Sequence, residues 1–453
     1  MTRSETVAAP RADLPARLGG VNAEAVADLA ACAGEPAFMA ARRSRAWAYC
    51  EKTPFPTRLE ELWRRTDISG LKWDSLLVER DPHPAARSVA ELPAELRSEI
   101  GPAEERSALV VVLDTGVVFL ERDEALIRAG VTVLPIAKAA REKPALVERI
   151  LGATVRHDES RFTGLNAALG SDGVLVHVPA EVALEKPIRV LVARSTPDLM
   201  LFPHLVVALE SGARATVIEE YVSSGEPGTA VVVPVTEITV GERADLHVAT
   251  LFRWAGNVYH FGVERARIDR EGRFHWTLAA LGGKLIKADM EMHLEGEGAE
   301  GKFSGCYFGN ESQHFDFHTF QNHVVGHTTS DLLFKGALRD RARTVYQGLI
   351  RVNKNAQGSD AYQANRNLIL SDKARADSIP SLEIEANDVR CTHGATVGQV
   401  DSEQLFYLMA RGMNKHDAER LIISGFFEPV LERIPSPTLR ALVTEAMDRK
   451  AGN

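Results

Sequence analysis

Two hydrophobic textures divide the chain. From Asn22 to about Trp73, Ala25, Leu29, Phe38, Met39, Arg43, Trp47 and Trp63 recur at helical spacings between proline-containing breaks, which predicts helices. The preceding residues, 1–21, mix Ala, Arg, Glu and Pro without periodicity and read as a mobile arm. A stretch rich in Pro, Ala and Glu, Asp81–Ala103, reads as a connector. The apolar runs Ala108–Leu113 and Gly116–Leu120 around Asp114-Thr115 predict a hairpin. Helical patterns return at Ala137–Leu151 and Phe162–Leu169. Beyond Gly173 the period falls to two. Val174–Val178, Ile188–Val192, Leu205–Leu209, Ala215–Val222 and Val231–Val235 are short β-branched segments. The turns between strands are alike, at Ser211–Ala215, Gly241–Asp245, Glu271–Phe274, Asp340–Thr344 and Asp372–Ala376, several of them about 30 residues apart. A turn with two or three strands per repeat suits a stacked β-solenoid, each coil burying its inner face against its neighbours; a β-sandwich gives similar strand density. From Asp401 the pattern is helical again. Asp401 and Gln404 resemble a capping box, Gly412 suits a helix end, and a second helix starts at Asn414, with Pro429 expected to kink or restart it. The expected organisation is an arm (1–21), a mainly helical N-terminal domain (22–172), a β core (173–400) and a helical C-terminal domain (401–453).

The 453 residues, 45% hydrophobic and 25% charged, suffice for a large core. A net charge of -9 supplies no field for phosphate backbones, so nucleic acid is not expected as a partner. No apolar run has the length of a membrane span and the N-terminus lacks a secretory pattern, which points to a cytoplasmic protein with no membrane contact. The cysteines, Cys32, Cys50, Cys306 and Cys391, form no CxxC pair and no disulfide framework. Cys32 and Cys50 read as core residues, and Cys306, in Gly305–Gly309, as a buried, inert thiol. Gly282-Gly-Lys-Leu lacks the spacing of a phosphate-binding loop, and neither GxSxG nor HExxH occurs, so this chain is not expected to bind ATP or to be a common hydrolase.

Two constellations carry metal-capable groups. Within His314–His327, strand alternation puts His314, Asp316 and His318 on one face and Phe315 and Phe317 on the other. The favoured reading is that the phenylalanines fill the core and the polar side chains form a solvated or subunit-facing ladder; the competing one is a metal site. Alternation also puts Cys391 and His393 on one side of a strand, near enough to share one iron atom, although a lone Cys-x-His is more often structural. Two ligands cannot close an iron–sulfur cluster, which takes four.

The segments His318–His323, Ser330–Gly336, Tyr346–Gly348, Ala361–Asp372, Pro380–Glu385, Cys391–Gly398 and Leu405–Gly412 occur in the order found in the SufB/SufD family of iron–sulfur assembly proteins, which the chain resembles from Glu35 to Pro435. Glu35-Pro36, Arg42-Arg43, Ala46-Trp47, Pro54–Arg58 and Glu61–Trp63 are similar to the opening of SufD. Leu408 stands where SufB-like proteins place a cysteine after the Phe-Tyr pair, although Gly425–Pro435 also looks SufB-like. The resemblance implies a right-handed parallel β-helix flanked by helical domains, a heterodimer with a SufB-like paralogue, and a SufC-like ABC ATPase docked on the C-terminal helices through Leu405, Leu421, Ile422 and Phe426. It further implies a non-catalytic scaffold role, with His393 and Cys391 contributing to iron or a nascent cluster shared with SufB, and reduced flavin as a possible companion of the complex. A SufB-type scaffold and a carbohydrate-active β-helix are the alternatives.

Overall fold

The computed structural model describes residues 3–4, 17–18, 20–33, 35–79, 85–224, 228–434 and 437–452. Most of the expected arm, the start of the Asp81–Ala103 connector and the side chain of Cys32 lie outside the described residues. The core is a β-solenoid spanning 174–399, built from two parallel sheets that face each other. In one sheet Arg273 lies opposite Glu300, Glu300 opposite Thr329 and Thr329 opposite Asp360, so each coil takes about thirty residues. The sandwich alternative is thereby excluded.

The period-two pattern explains the coil. Inward positions are apolar and stack in register: the Trp276 and Phe303 rings lie 5.4 Å apart, Phe317 contacts Tyr307 at 5.3 Å and Phe334 at 5.9 Å, and all are buried. The recurrent turns are corners in the left-handed region, supplied by Gly212, Arg243, Glu271 and Asp340. Corners of successive coils bond to one another, with Gly212 N–H donating to Glu242 O (2.8 Å) and Arg243 N–H to Arg270 O (2.9 Å).

Residues 85–172 feed into this stack. The expected hairpin forms as antiparallel Ala108–Leu113 and Gly116–Arg122, and its first strand runs parallel to Ile188–Arg194. Thr132–Pro135, not anticipated as a strand, pairs antiparallel with Val174–Val178. Both sheets therefore begin inside the segment expected to be mainly helical. The run around Val231 is two strands, Ala230–Val232 and Val235–Val240, because Pro234 between them has no N–H for the ladder. The helical pattern at Ala137–Leu151 likewise forms two helices, Ile136–Glu142 and Pro144–Ile150, with Pro144 opening the second.

Helices Ala37–Cys50 and Arg161–Leu169 pack Ala46, Cys50, Leu165 and Ala168 against Phe202, Val233 and Phe261 of the solenoid. Aromatic rings extend this seam, with Phe55 stacked on Trp73 (4.0 Å) and Phe162 on Phe261 (4.8 Å). Three helices follow the last coil: Ser402–Ala410, Lys415–Leu431 and Pro437–Gly452. Asp401 caps the first, its carboxylate accepting from Glu403 N–H (2.8 Å) rather than from the residue expected of a capping box. Pro429 lies in the final turn of the second helix and does not divide it. Ile423, Phe427, Val430 and Leu431 of that helix, with Leu439 and Val443 of the third, bury against Leu251, Cys306 and Phe308 on the outer face of one sheet. Among the described residues no helix is long and apolar enough to cross a membrane.

Candidate functional site

The last coil differs from every earlier one. Val389–Gln399 pairs with Ser359–Ile369 on one edge, and no described strand pairs with its other edge; Arg375–Ile384 ends the second sheet in the same way. Cys391, His393, Ala395 and Val397 lie in register over Ala361, Gln363, Asn365 and Asn367, which are all buried. The upper row occupies the same inward-facing positions, yet His393 is exposed, Val397 is 48% exposed and Cys391 is half-buried. Only the lack of a following coil leaves them open. The sequence-predicted pair is therefore on one face, as alternation required, and that face is the end of the lumen rather than the flank of the stack.

The surroundings of the two side chains differ. Cys391 packs on an apolar cluster of Ile350, Val352, Ala356, Ala361 and Ala386. Burial pushes its thiol above the ordinary range and the Asp360 carboxylate adds to this, against a bond from Ala361 N–H, so the resting side chain is a thiol that a cation must deprotonate. Beneath His393 the lumen is polar. Gln363 donates through Nε2 to Gly348 O (3.3 Å) and Ser381 O (3.2 Å), and accepts at Oε1 from Tyr346 OH (3.3 Å), which shares a hydrogen bond with Thr319 Oγ1 (2.9 Å).

The His314–His327 constellation is spent on structure. Phe315 and Phe317 are buried in the core, as expected, but the polar face is not a solvated ladder, because the segment around Leu62–Thr66 covers it. Asp316 is buried and accepts from Thr66 Oγ1 (2.5 Å) and Lys287 Nζ (2.8 Å), while Thr66 also meets His314 Nε2 (3.2 Å). His318 Nδ1 pairs with Asp289 Oδ1 (2.5 Å), and His323 bonds Thr328 and Ser330, both at 2.7 Å. Among the described residues no group of three or more His, Cys, Asp or Glu side chains is placed to hold a metal ion. Cys306 and Cys50 are buried, and burial pushes their thiols to about 12 and about 11.

A second surface lies beside the open coil. A groove of about 740 Å³ is lined by Leu368, Gln399, Tyr407, Leu421, Ile422 and Phe426. The helix Ser402–Ala410 buries none of its residues, leaving Phe406 73% and Tyr407 57% exposed. Of the residues singled out from sequence, Leu421 and Ile422 face the groove, and Leu405, half-buried, lies on that first helix. Phe426 lines the groove and also packs inward, against Phe427 (5.1 Å) and under Lys335 Nζ (4.8 Å). Sequence reasoning read Phe406 as apolar helix surface without assigning it to docking and did not single out Tyr407; their signal was a nine-residue helix apolar on more than one face.

Residues 191–426 match the family model described as SUF system FeS cluster assembly, SufBD core domain, and residues 101–190 match the SufBD protein N-terminal region. The chain belongs to the SufBD family. It is 29% identical over 418 residues to the iron–sulfur cluster assembly protein SufD of Bacillus subtilis, covering 92% of this chain and 94% of that protein. A SufBD family protein of Staphylococcus haemolyticus is 27% identical over 425 residues, covering 92% and 90%. One from Mycobacterium tuberculosis is 30% identical over 297 residues, covering 64% and 72%. The chain is thus a member of the SufBD family of the SUF iron–sulfur cluster assembly system, and its open coil and the exposed helix Ser402–Ala410 lie near the end of the matched core.

Proposed function

We propose that this chain is a SufD-like, non-catalytic scaffold that meets a SufB-like paralogue through the open end of its solenoid and shares a nascent iron–sulfur cluster with it. The observation that carries the reading is the last coil: inward-facing residues are exposed there, and neither outer strand edge pairs with a described strand, which suits docking of a second solenoid. His393 is the proposed iron donor, since neutral imidazole is a good iron ligand. Cys391 is the weaker second ligand because its thiol is held protonated. A cluster needs about four ligands, so the remainder come from the partner. Leu408 in place of a cysteine favours the SufD-like role over a SufB-type one. The groove and the exposed Phe406, Tyr407 and Leu421 suit docking of a SufC-like ABC ATPase, which would consume the ATP in the cytoplasm.

Co-expression of the full chain with SufB-like and SufC-like partners, followed by purification and iron and sulfide analysis, tests the site. With His393→Ala the complex is expected to assemble normally while its cluster content falls by about tenfold or more. Unchanged content would reduce the chain to a passive scaffold. On the terminal helices, Phe406→Ser with Leu421→Ser is expected to weaken ATPase binding by about thirtyfold. The isolated chain should keep its stability within about 0.5 kcal/mol, because both side chains are exposed. Titration calorimetry and thermal unfolding measure the two quantities.

A further inference from the structure

The lumen of the solenoid is apolar through most of its middle coils, with one exception far from the open end. On Val258–Ile268 the inward positions run His260, Gly262, Glu264, and across the lumen Arg214–Ser223 presents Glu219 and Tyr221. Glu219, Glu264 and His260 are each at most 1% exposed. Among the described residues, both oxygens of Glu264, Oε2 of Glu219 and Nε2 of His260 have no hydrogen-bond partner. Glycine at 262 keeps their space open: a Cβ there would lie 2.9 Å from His260 Nε2 and 3.3 Å from Glu264 Oε1.

The tautomer of His260 follows from its neighbour. Trp254 Nε1–H can only donate, and it points at His260 Nδ1 (3.2 Å), so the proton of the neutral ring sits on Nε2 and faces the gap. Tyr221 and Phe252 enclose the ring, at 5.2 Å and 4.5 Å, and burial pulls its pKa to about 3, so it stays neutral. A metal ion would need the Nε2 lone pair that this tautomer lacks. Glu219 Oε1 accepts from Tyr221 OH (2.7 Å) and Thr236 Oγ1 (3.4 Å), whereas no described residue donates to the Glu264 carboxyl. The neighbours of Glu264 in register are Thr236 and Met290, and those of Glu219 are Val190 and Thr250. The charged groups acting on Glu264 are Glu219 and Asp289, both acidic.

We propose that the lumen holds Glu264 as a neutral acid together with a buried water that accepts from His260 Nε2–H and joins Glu264 to Glu219 across Gly262, making this coil a pH-sensitive element of the solenoid. A carboxylate without donors, facing a second one, is costly to bury, whereas the neutral acid is itself a donor and a water there finds the two to four polar partners it requires. Burial and the neighbouring acids push Glu264 well above the ordinary range, and burial raises Glu219 to about 7. Because the folded chain keeps these protons to higher pH than the unfolded chain, their contribution to stability is complete below the ordinary glutamate value of 4.5, shrinks as pH rises and is lost above the folded values.

The test is thermal unfolding of the full chain from pH 5 to pH 8.5, wild type against Glu264→Gln, which keeps the shape without the charge. The midpoints are expected nearly to coincide at pH 5, with the variant higher by roughly 2 °C or more at pH 8.5. Parallel pH profiles would overturn the proposal. Infrared spectroscopy of the wild type covers the case of a variant that fails to fold: a deuterium-sensitive carboxylic acid C=O band at pH 7 is expected, and its absence overturns the proposal. So would a stoichiometric cation in the chelator-washed wild-type chain that Glu264→Gln removes.

Discussion

Lys287→Met is expected to destabilise the chain by about 3–5 kcal/mol, the cost of leaving its partner charge buried alone. Lys287 and Asp316 face each other on neighbouring coils, both nearly inaccessible, with Nζ 2.8 Å from Oδ2. The ammonium also donates to Leu62 O (2.8 Å) and lies over the Trp63 ring at 4.8 Å, so it pins the segment around Leu62 to the solenoid. Without it, Asp316 keeps, among the described residues, only the Thr66 hydroxyl, and its Oδ1 already has no described partner. Chemical denaturation monitored by tryptophan fluorescence should show the loss together with increased mobility at Trp63. The double substitution Lys287→Met with Asp316→Leu should recover most of the stability, because it removes both charges from the low-dielectric site. A double variant as unstable as the single one would mean that the contacts to Leu62 and Trp63, rather than the orphaned carboxylate, carry the effect.

The second large effect is expected on assembly rather than stability. Ile384 and Val397 are exposed large apolar residues at inward-facing positions of the last coil, one on each sheet, in register over the buried Val352 and Asn367. Replacing both with arginine should leave unfolding of the isolated chain within about 0.5 kcal/mol, since neither side chain is packed by a further coil. Association with the SufB-like partner should weaken by at least about 2 kcal/mol, or roughly thirtyfold, because a docked solenoid would bury two unpaired charges at the centre of the contact. Sedimentation of the mixed chains at several concentrations measures this. Undiminished association would move the partner surface away from the open end and remove the basis for a shared half-site at His393.

Much of this architecture was legible along the chain. Alternation from Val174 onward specified strands with one buried face, because a strand that is apolar at every second position buries that face whatever it stacks upon, and the similar turns about thirty residues apart pointed to coils. The same parity put Cys391 beside His393 and Phe315 beside Phe317. The helix starting at Asn414 was also legible, but not which edge of it would pack: Ile423 and Phe427 bury, whereas Ile422, one position away, faces the groove.

What sequence could not supply were relations between residues far apart. Asp316 belongs to a motif with the composition of a metal site, yet its partners are Lys287, one coil away, and Thr66, from a segment folded over the outside. Glu219 and Glu264 lie on different strands and face one another only because the two sheets do. His393 and Gln363 occupy equivalent inward positions, and one is exposed while the other is buried solely because a coil follows Gln363 and none follows His393. Local pattern fixes which way a side chain points relative to its own strand; what it meets there is decided by the stacking register and by where the stack stops.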